Sequence, residues 1–68
     1  MTPPKAIIAD DEEPLRNYLK VRLNAVWPEL VICGEAENGE RALALAERFK
    51  PDIAFLDIKM PEIGRAHV

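Results

Sequence analysis

The sequence predicts an α/β chain, a parallel sheet built in the order β-α-β-α-β. Three observations carry this. Three short, almost wholly apolar runs, Ala6-Ile7-Ile8-Ala9, Leu30-Val31-Ile32-Cys33 and Ile53-Ala54-Phe55-Leu56, have the length and unbroken hydrophobicity of strands buried on both faces. Between them lie two stretches whose apolar residues recur at helical spacing. Strands regularly separated by helices imply parallel neighbours joined by right-handed crossovers.

The first strand is expected over Lys5–Ala9. Glu12-Glu13-Pro14 then has the marks of a helix start, with carboxylates at the positive end of the dipole and a proline in the first turn. Leu15, Tyr18, Leu19, Arg22, Leu23 and Val26 form the expected stripe of that helix, with Arg16, Lys20 and Asn24 largely outside it, and Trp27-Pro28-Glu29 ends it. The second strand is expected over Leu30–Glu35, with Cys33 a small core residue. Asn38-Gly39 would suggest a hairpin in isolation. Ala42, Leu43, Leu45, Ala46 and Phe49 follow with helical period, however, so Asn38 reads as the N-cap of a second helix. That helix must stop before Pro51, because the residue preceding proline avoids the α region. Asp52 opens the third strand, Ile53–Leu56.

Sixty-eight residues allow one thin domain at most. A single cysteine rules out an intramolecular disulfide and points to a reducing compartment. A hydrophobic fraction of 49% is that of a globular chain, and a net charge of -3 argues against nucleic-acid binding by this segment. No apolar run approaches the roughly 20 residues that span a bilayer, and the first five residues lack the apolar core of a signal peptide. The expectation is a soluble cytoplasmic protein that makes no membrane contact.

The chemistry lies at the strand ends. Asp10-Asp11 closes the first apolar run and Asp57 the third. Ligands of open parallel sheets bind beyond the carboxyl ends of the strands. If these two strands are neighbours, three carboxylates meet at one edge. Three close anions repel unless a hard cation sits among them or some protonate. That is the chemistry of a magnesium-dependent phosphoryl acceptor. Taken singly, each feature has a plainer reading: Asp10-Asp11 as a solvated loop complementing the next helix, and Asp57 as a mere strand end. Glu12 and Glu13 read as surface charges that complement the helix dipole, Tyr18 as packing, and the lone His67 carries no assignment.

Three segments together resemble the receiver domain of two-component response regulators. Ile7-Ile8-Ala9-Asp10-Asp11-Glu12 is similar to that family's first-strand motif. Phe55-Leu56-Asp57-Ile58-Lys59-Met60-Pro61 is similar to its phosphoacceptor motif, and Glu35-Ala36-Glu37-Asn38-Gly39-Glu40-Arg41-Ala42-Leu43 to its second-helix entry. The resemblance covers Lys5 to about Pro61. It implies a flavodoxin-like doubly wound parallel sheet, of which this chain holds the first half. It implies that Asp57 accepts a phosphoryl group from a phosphohistidine on a sensor histidine kinase or from a small acyl phosphate. Mg2+ would be held by the carboxylates of Asp11 and Asp57, by the backbone carbonyl of Lys59, and by Asp10 largely through water. The domain so implied is a signalling switch and not an enzyme.

The chain also departs from the family. One β-α unit takes about 25 residues here, so five units would need roughly 120. The family's switch Ser/Thr after strand four and its Lys after strand five have no counterpart. Residues 1–61 are therefore expected to form a partial receiver domain. Glu62–Val68 is expected to be a non-native tail, because Ile63–Val68 is one translation of ATC GGA AGA GCA CAC GTC, a common sequencing adapter. Trp27-Pro28-Glu29-Leu30 and Leu56–Pro61 are similar to receivers joined to LytTR-type DNA-binding domains, which implies transcription control by a longer parent. The alternative is an aspartate-nucleophile phosphatase or phosphotransferase of haloacid-dehalogenase type. That family expects an aspartate two residues after its nucleophile, where Lys59 stands. A nucleotide-binding fragment is disfavoured, since Asp10-Asp11-Glu12-Glu13 replaces any glycine-rich phosphate loop.

Overall fold

The apolar runs become three parallel strands: β1 (Lys5–Asp10), β2 (Val31–Ala36) and β3 (Ile53–Asp57). Helices α1 (Glu13–Val26) and α2 (Gly39–Phe49) connect them in the order β1-α1-β2-α2-β3. The structure, a computed structural model, describes residues 2–57. The sheet order is β2-β1-β3, so the chain reverses direction across the sheet on either side of β1. β1 is central, and residues 6–10 are all buried, which is why its sequence shows no polar alternation.

Hydrogen bonds at the amino ends of the strands hold the register. Lys5 N–H donates to a carboxylate oxygen of Asp52 (2.9 Å), and Asp52 N–H donates to the Lys5 carbonyl (2.8 Å). From that clamp the pairing runs Ala6↔Ile53 through Asp10↔Asp57 without interruption. On the other side, β1 and β2 start together through Val31 N–H to the Pro4 carbonyl (2.9 Å), then shift register between Ala6 and Ile7. Ala6 faces Ile32 and Ile7 faces Gly34, so Cys33 is the extra residue of a bulge. Its thiol donates to the Ala6 carbonyl (3.4 Å) and lies half-buried, as a small core residue should.

Helix α2 begins as the sequence predicts. The Asn38 side-chain oxygen accepts from Arg41 N–H at 2.7 Å. The helix ends on Lys50 in the left-handed region, φ 48°, immediately before Pro51. α2 lies against β2 and β1 around Ala9, Ala36, Ala42 and Leu45. A Cβ on Gly34 would come within 3.2 Å of Leu45 Cδ1, so the absent side chain is what lets the helix approach β2.

Helix α1 is turned relative to expectation. Its half-buried face consists of Arg16, Leu19, Lys20 and Leu23, continued by Trp27, while Leu15, Tyr18 and Val26 are exposed. Tyr18 therefore does not pack into the described core. The physical reason is a pair of acceptors on the sheet side, the Asp10 carbonyl and the Glu35 carboxylate, which draw two cations onto the inner face. Both are half-buried while their charged heads find partners.

Candidate functional site

The carboxyl edge of the sheet gathers the acids that the sequence singles out. Parallel pairing places Asp10 directly beside Asp57, each at the last position of its strand. Strand alternation sets both on the α1 side, in line with Ile8 and Phe55. Asp11 follows Asp10 in the turn to α1 and is exposed. Lys59 and the segment 62–68 lie outside the described residues.

The two strand-end acids differ. Asp10 is 5% exposed. Its Oδ1 accepts from Glu12 N–H (2.9 Å), a turn in which the side chain stands in for a backbone acceptor. Its carbonyl accepts from Arg16 Nη1 (2.8 Å). Asp57 is exposed at the end of β3. One acid is built into the scaffold and the other is open to an incoming group.

Among the described residues no three His, Cys, Asp or Glu groups converge around one point suited to a metal. Carboxylates that repel one another have no reason to converge by themselves. The donor set nevertheless suits a hard divalent cation: carboxylates from adjacent strand ends in register, with Asp11 exposed beside them.

Two features escaped sequence reasoning, one beside the site and one at the opposite, amino end of the strands. Glu35, in register with Ile8, binds Lys20 Nζ at 2.6 Å and Arg16 Nε at 3.4 Å. The Lys20 ammonium above all holds its carboxyl below the usual glutamate range, against the opposing effect of burial and with a lesser contribution from Arg16. Asp52 is the second, through its clamp on Lys5. The signal for Arg16 was its spacing of three and seven residues from Leu19 and Leu23, which puts it on their face.

Comparison with known proteins identifies the family of the fold just described. The family model of the response regulator receiver domain matches residues 6–64. This chain belongs to the receiver domain family of response regulators. A response regulatory protein of Vibrio cholerae is 48% identical over 63 residues, which is 93% of this chain and 24% of that protein. A protein-glutamate methylesterase/protein-glutamine glutaminase of Carboxydothermus hydrogenoformans is 49% identical over 57 residues, 84% of this chain and 16% of that protein. Among solved structures, the signal receiver domain of a NarL response regulator from Mycobacterium tuberculosis superposes with a TM-score of 0.76 and 31% identity. It covers 91% of this chain and 49% of that one. The receiver chain thus spans about a quarter or less of the length of these curated relatives. The haloacid-dehalogenase alternative finds no support here. No described helix of the receiver is long and apolar enough to cross a membrane.

Proposed function

We propose that Asp57 is the phosphoacceptor of this receiver, that Mg2+ is its cofactor, and that the donor is a phosphohistidine on a sensor histidine kinase. The observation that carries this reading is the register pair Asp10↔Asp57, which sets a buried, anchored carboxylate beside an exposed one at the carboxyl edge. A carboxylate oxygen of Asp57 forms a bond to phosphorus as the bond from phosphorus to the donor nitrogen breaks and the imidazole leaves with the electron pair. The product is an aspartyl phosphate, a mixed anhydride that water cleaves to restore the acid. Like charges oppose the approach of the phosphoryl group to a carboxylate; neutralising that repulsion is the chemistry a bound Mg2+ supplies.

Asp11 and Asp57 would hold the cation through their carboxylates, Lys59 through its carbonyl, and Asp10 largely through water. Asp10 suits the indirect role, since one of its oxygens is already committed to the turn. The receiver acts as a switch rather than as an enzyme with turnover of its own, and it works in the cytoplasm. The output we favour for the parent protein is a DNA-binding domain, on the similarity to LytTR-linked receivers; this segment itself binds no nucleic acid. The methylesterase relative carries a different activity, and its likeness covers 16% of its length.

The test is acyl-phosphate labelling of the full-length protein that carries this chain. Acetyl phosphate and Mg2+ should label it, and borohydride reduction followed by mass spectrometry should place the label on Asp57. Asp57→Asn nearly preserves shape and removes the anionic nucleophile, so labelling should vanish without unfolding. Undiminished labelling of that variant at Asp10 or Asp11 would overturn the assignment.

A further inference from the structure

We propose that Arg16 is a positioning residue for Asp11, held to that task by Glu35 and Lys20. The proposal rests on the reading of Asp11 and Asp57 as the cation-binding and phosphoryl-accepting pair. Among the described residues the Asp11 side chain has no anchor of its own, yet both peptide groups that flank it are fixed. On one side Arg16 Nη1 grips the Asp10 carbonyl at 2.8 Å, which belongs to the planar peptide joining Asp10 to Asp11. On the other side Glu12 N–H, in the peptide joining Asp11 to Glu12, donates to Asp10 Oδ1 at 2.9 Å. The two bonds bracket a single residue, and its carboxylate must leave the backbone within a narrow range of directions.

The guanidinium is itself held. Its Nε faces Glu35 Oε1 at 3.4 Å, and Lys20 Nζ binds the other Glu35 oxygen at 2.6 Å. Glu35 comes from β2, so the brace runs from the outer strand through α1 to the acidic turn. The exposures of the three side chains fit this division of labour: 14% for Arg16 against 35% for Lys20 and 33% for Glu35. The Lys20–Glu35 pair, taken as a surface ion pair, contributes little. What sets the cluster apart is the part-buried bond from Arg16 to a main-chain carbonyl. Arginine suits the place because its planar fork reaches two acceptors in different directions, where a lysine ammonium is a point charge on a flexible stem.

A bystander charge and a positioning residue predict opposite signs. If Arg16 merely adds positive charge near the acids, its removal should tighten Mg2+ binding, because one repulsive partner of the cation is gone. If it orients Asp11, removal should weaken binding, by roughly the tenfold typical of residues that orient metal ligands.

The experiment measures Mg2+ affinity by titration, followed by Trp27 fluorescence or amide NMR shifts, in the full-length protein and its Arg16→Ala, Arg16→Lys, Glu35→Gln and Asp11→Ala variants. Arg16→Ala should weaken Mg2+ about tenfold, Arg16→Lys should restore only part of that loss, and Glu35→Gln should weaken it less than Arg16→Ala. Labelling should stay on Asp57 and recover when Mg2+ is raised. Unchanged or tighter Mg2+ binding in Arg16→Ala, with Asp11→Ala clearly weakened, would overturn the positioning role alone. Unchanged affinity in Asp11→Ala would remove the underlying site and the role with it. Should Arg16→Ala fail to fold, Arg16→Lys and Glu35→Gln decide: a lowered melting temperature with wild-type Mg2+ affinity in both makes the cluster a structural brace only.

Discussion

Strands β1 and β3 use the same sequence device, a short apolar run that closes on an aspartate, and they end in different environments. In β1, Ala6, Ile7, Ile8 and Ala9 are at most 1% exposed and the closing Asp10 is buried with them. In β3, Ile53 and Phe55 are half-buried, while Leu56 is 63% exposed and Asp57 is open. Composition does not separate the two. Position does: β1 has a strand on either side and a helix on either face, whereas β3 is paired on one side only among the described residues. The apolar hollow of about 230 Å³ beside Ala54, Leu56 and Leu43 belongs to the same half-covered side. Under the function proposed above, Asp57 has to be reached by a donor, while Asp10 beside it has to stay fixed.

The largest expected effect breaks the comparison directly. Ile8→Ala empties a fully buried position and should cost about 2–5 kcal/mol. Phe55→Ala, half-buried among the described residues, should cost roughly 1 kcal/mol from those contacts, about half the transfer value of a fully buried phenyl group. Urea denaturation of the full-length protein measures both. Equal losses would mean that parts of the protein beyond the described residues bury Phe55 as deeply as Ile8 is buried here.

A smaller effect tests how β3 is aligned with β1. Asp52→Ala removes the acceptor of the Lys5 N–H bond and should cost about 1 kcal/mol, with Asp52→Asn recovering most of it. The functional consequence is larger than the energy suggests, because a one-residue slip would carry Asp57 to the opposite face of the sheet. Slower labelling of Asp57 in Asp52→Ala, restored in Asp52→Asn, is the expected result. Wild-type labelling in both would show that the register is held elsewhere.

The smallest effect concerns the brace behind the edge. The folded-state pKa of Glu35 is depressed by Lys20 and Arg16, so its ionised form stabilises the fold. That contribution is fully present above the unfolded pKa and is lost as pH falls through the lower folded value. Wild type should therefore exceed Glu35→Gln by only a few tenths of a kcal/mol at pH 7, since the pair is partly exposed. The gap should close on acidification below about pH 5. A gap that widens in acid would show that the carboxylate is not the stabilising partner.

Much of this could be read from the chain by itself. Unbroken apolar runs told of parallel strands, Asn38 before a helical period told of a cap, Pro51 told of a helix end, and aspartates closing two runs told where the edge lies. These are local facts, dictated by backbone sterics and by the two periodicities of strand and helix. Even the strand boundaries moved only by a residue, with β1 reaching Asp10 and β2 reaching Ala36. The inward turn of α1 was different. Periodicity placed Arg16 and Lys20 outside the stripe, because a charged residue counts as solvated until its partners are known. Those partners, the Asp10 carbonyl six residues back and Glu35 on another strand, exist only once the strands are assembled. The same holds for the two acids. Nothing in Asp10 or Asp57 as a residue says which is buried; among the described residues the sheet order β2-β1-β3 puts one at the centre and the other at the side. Sequence determined which groups stand at the carboxyl edge, because strand length and alternation are local. Only tertiary structure decided which of them is anchored and which is open, because burial depends on neighbours that the chain brings from far along its length.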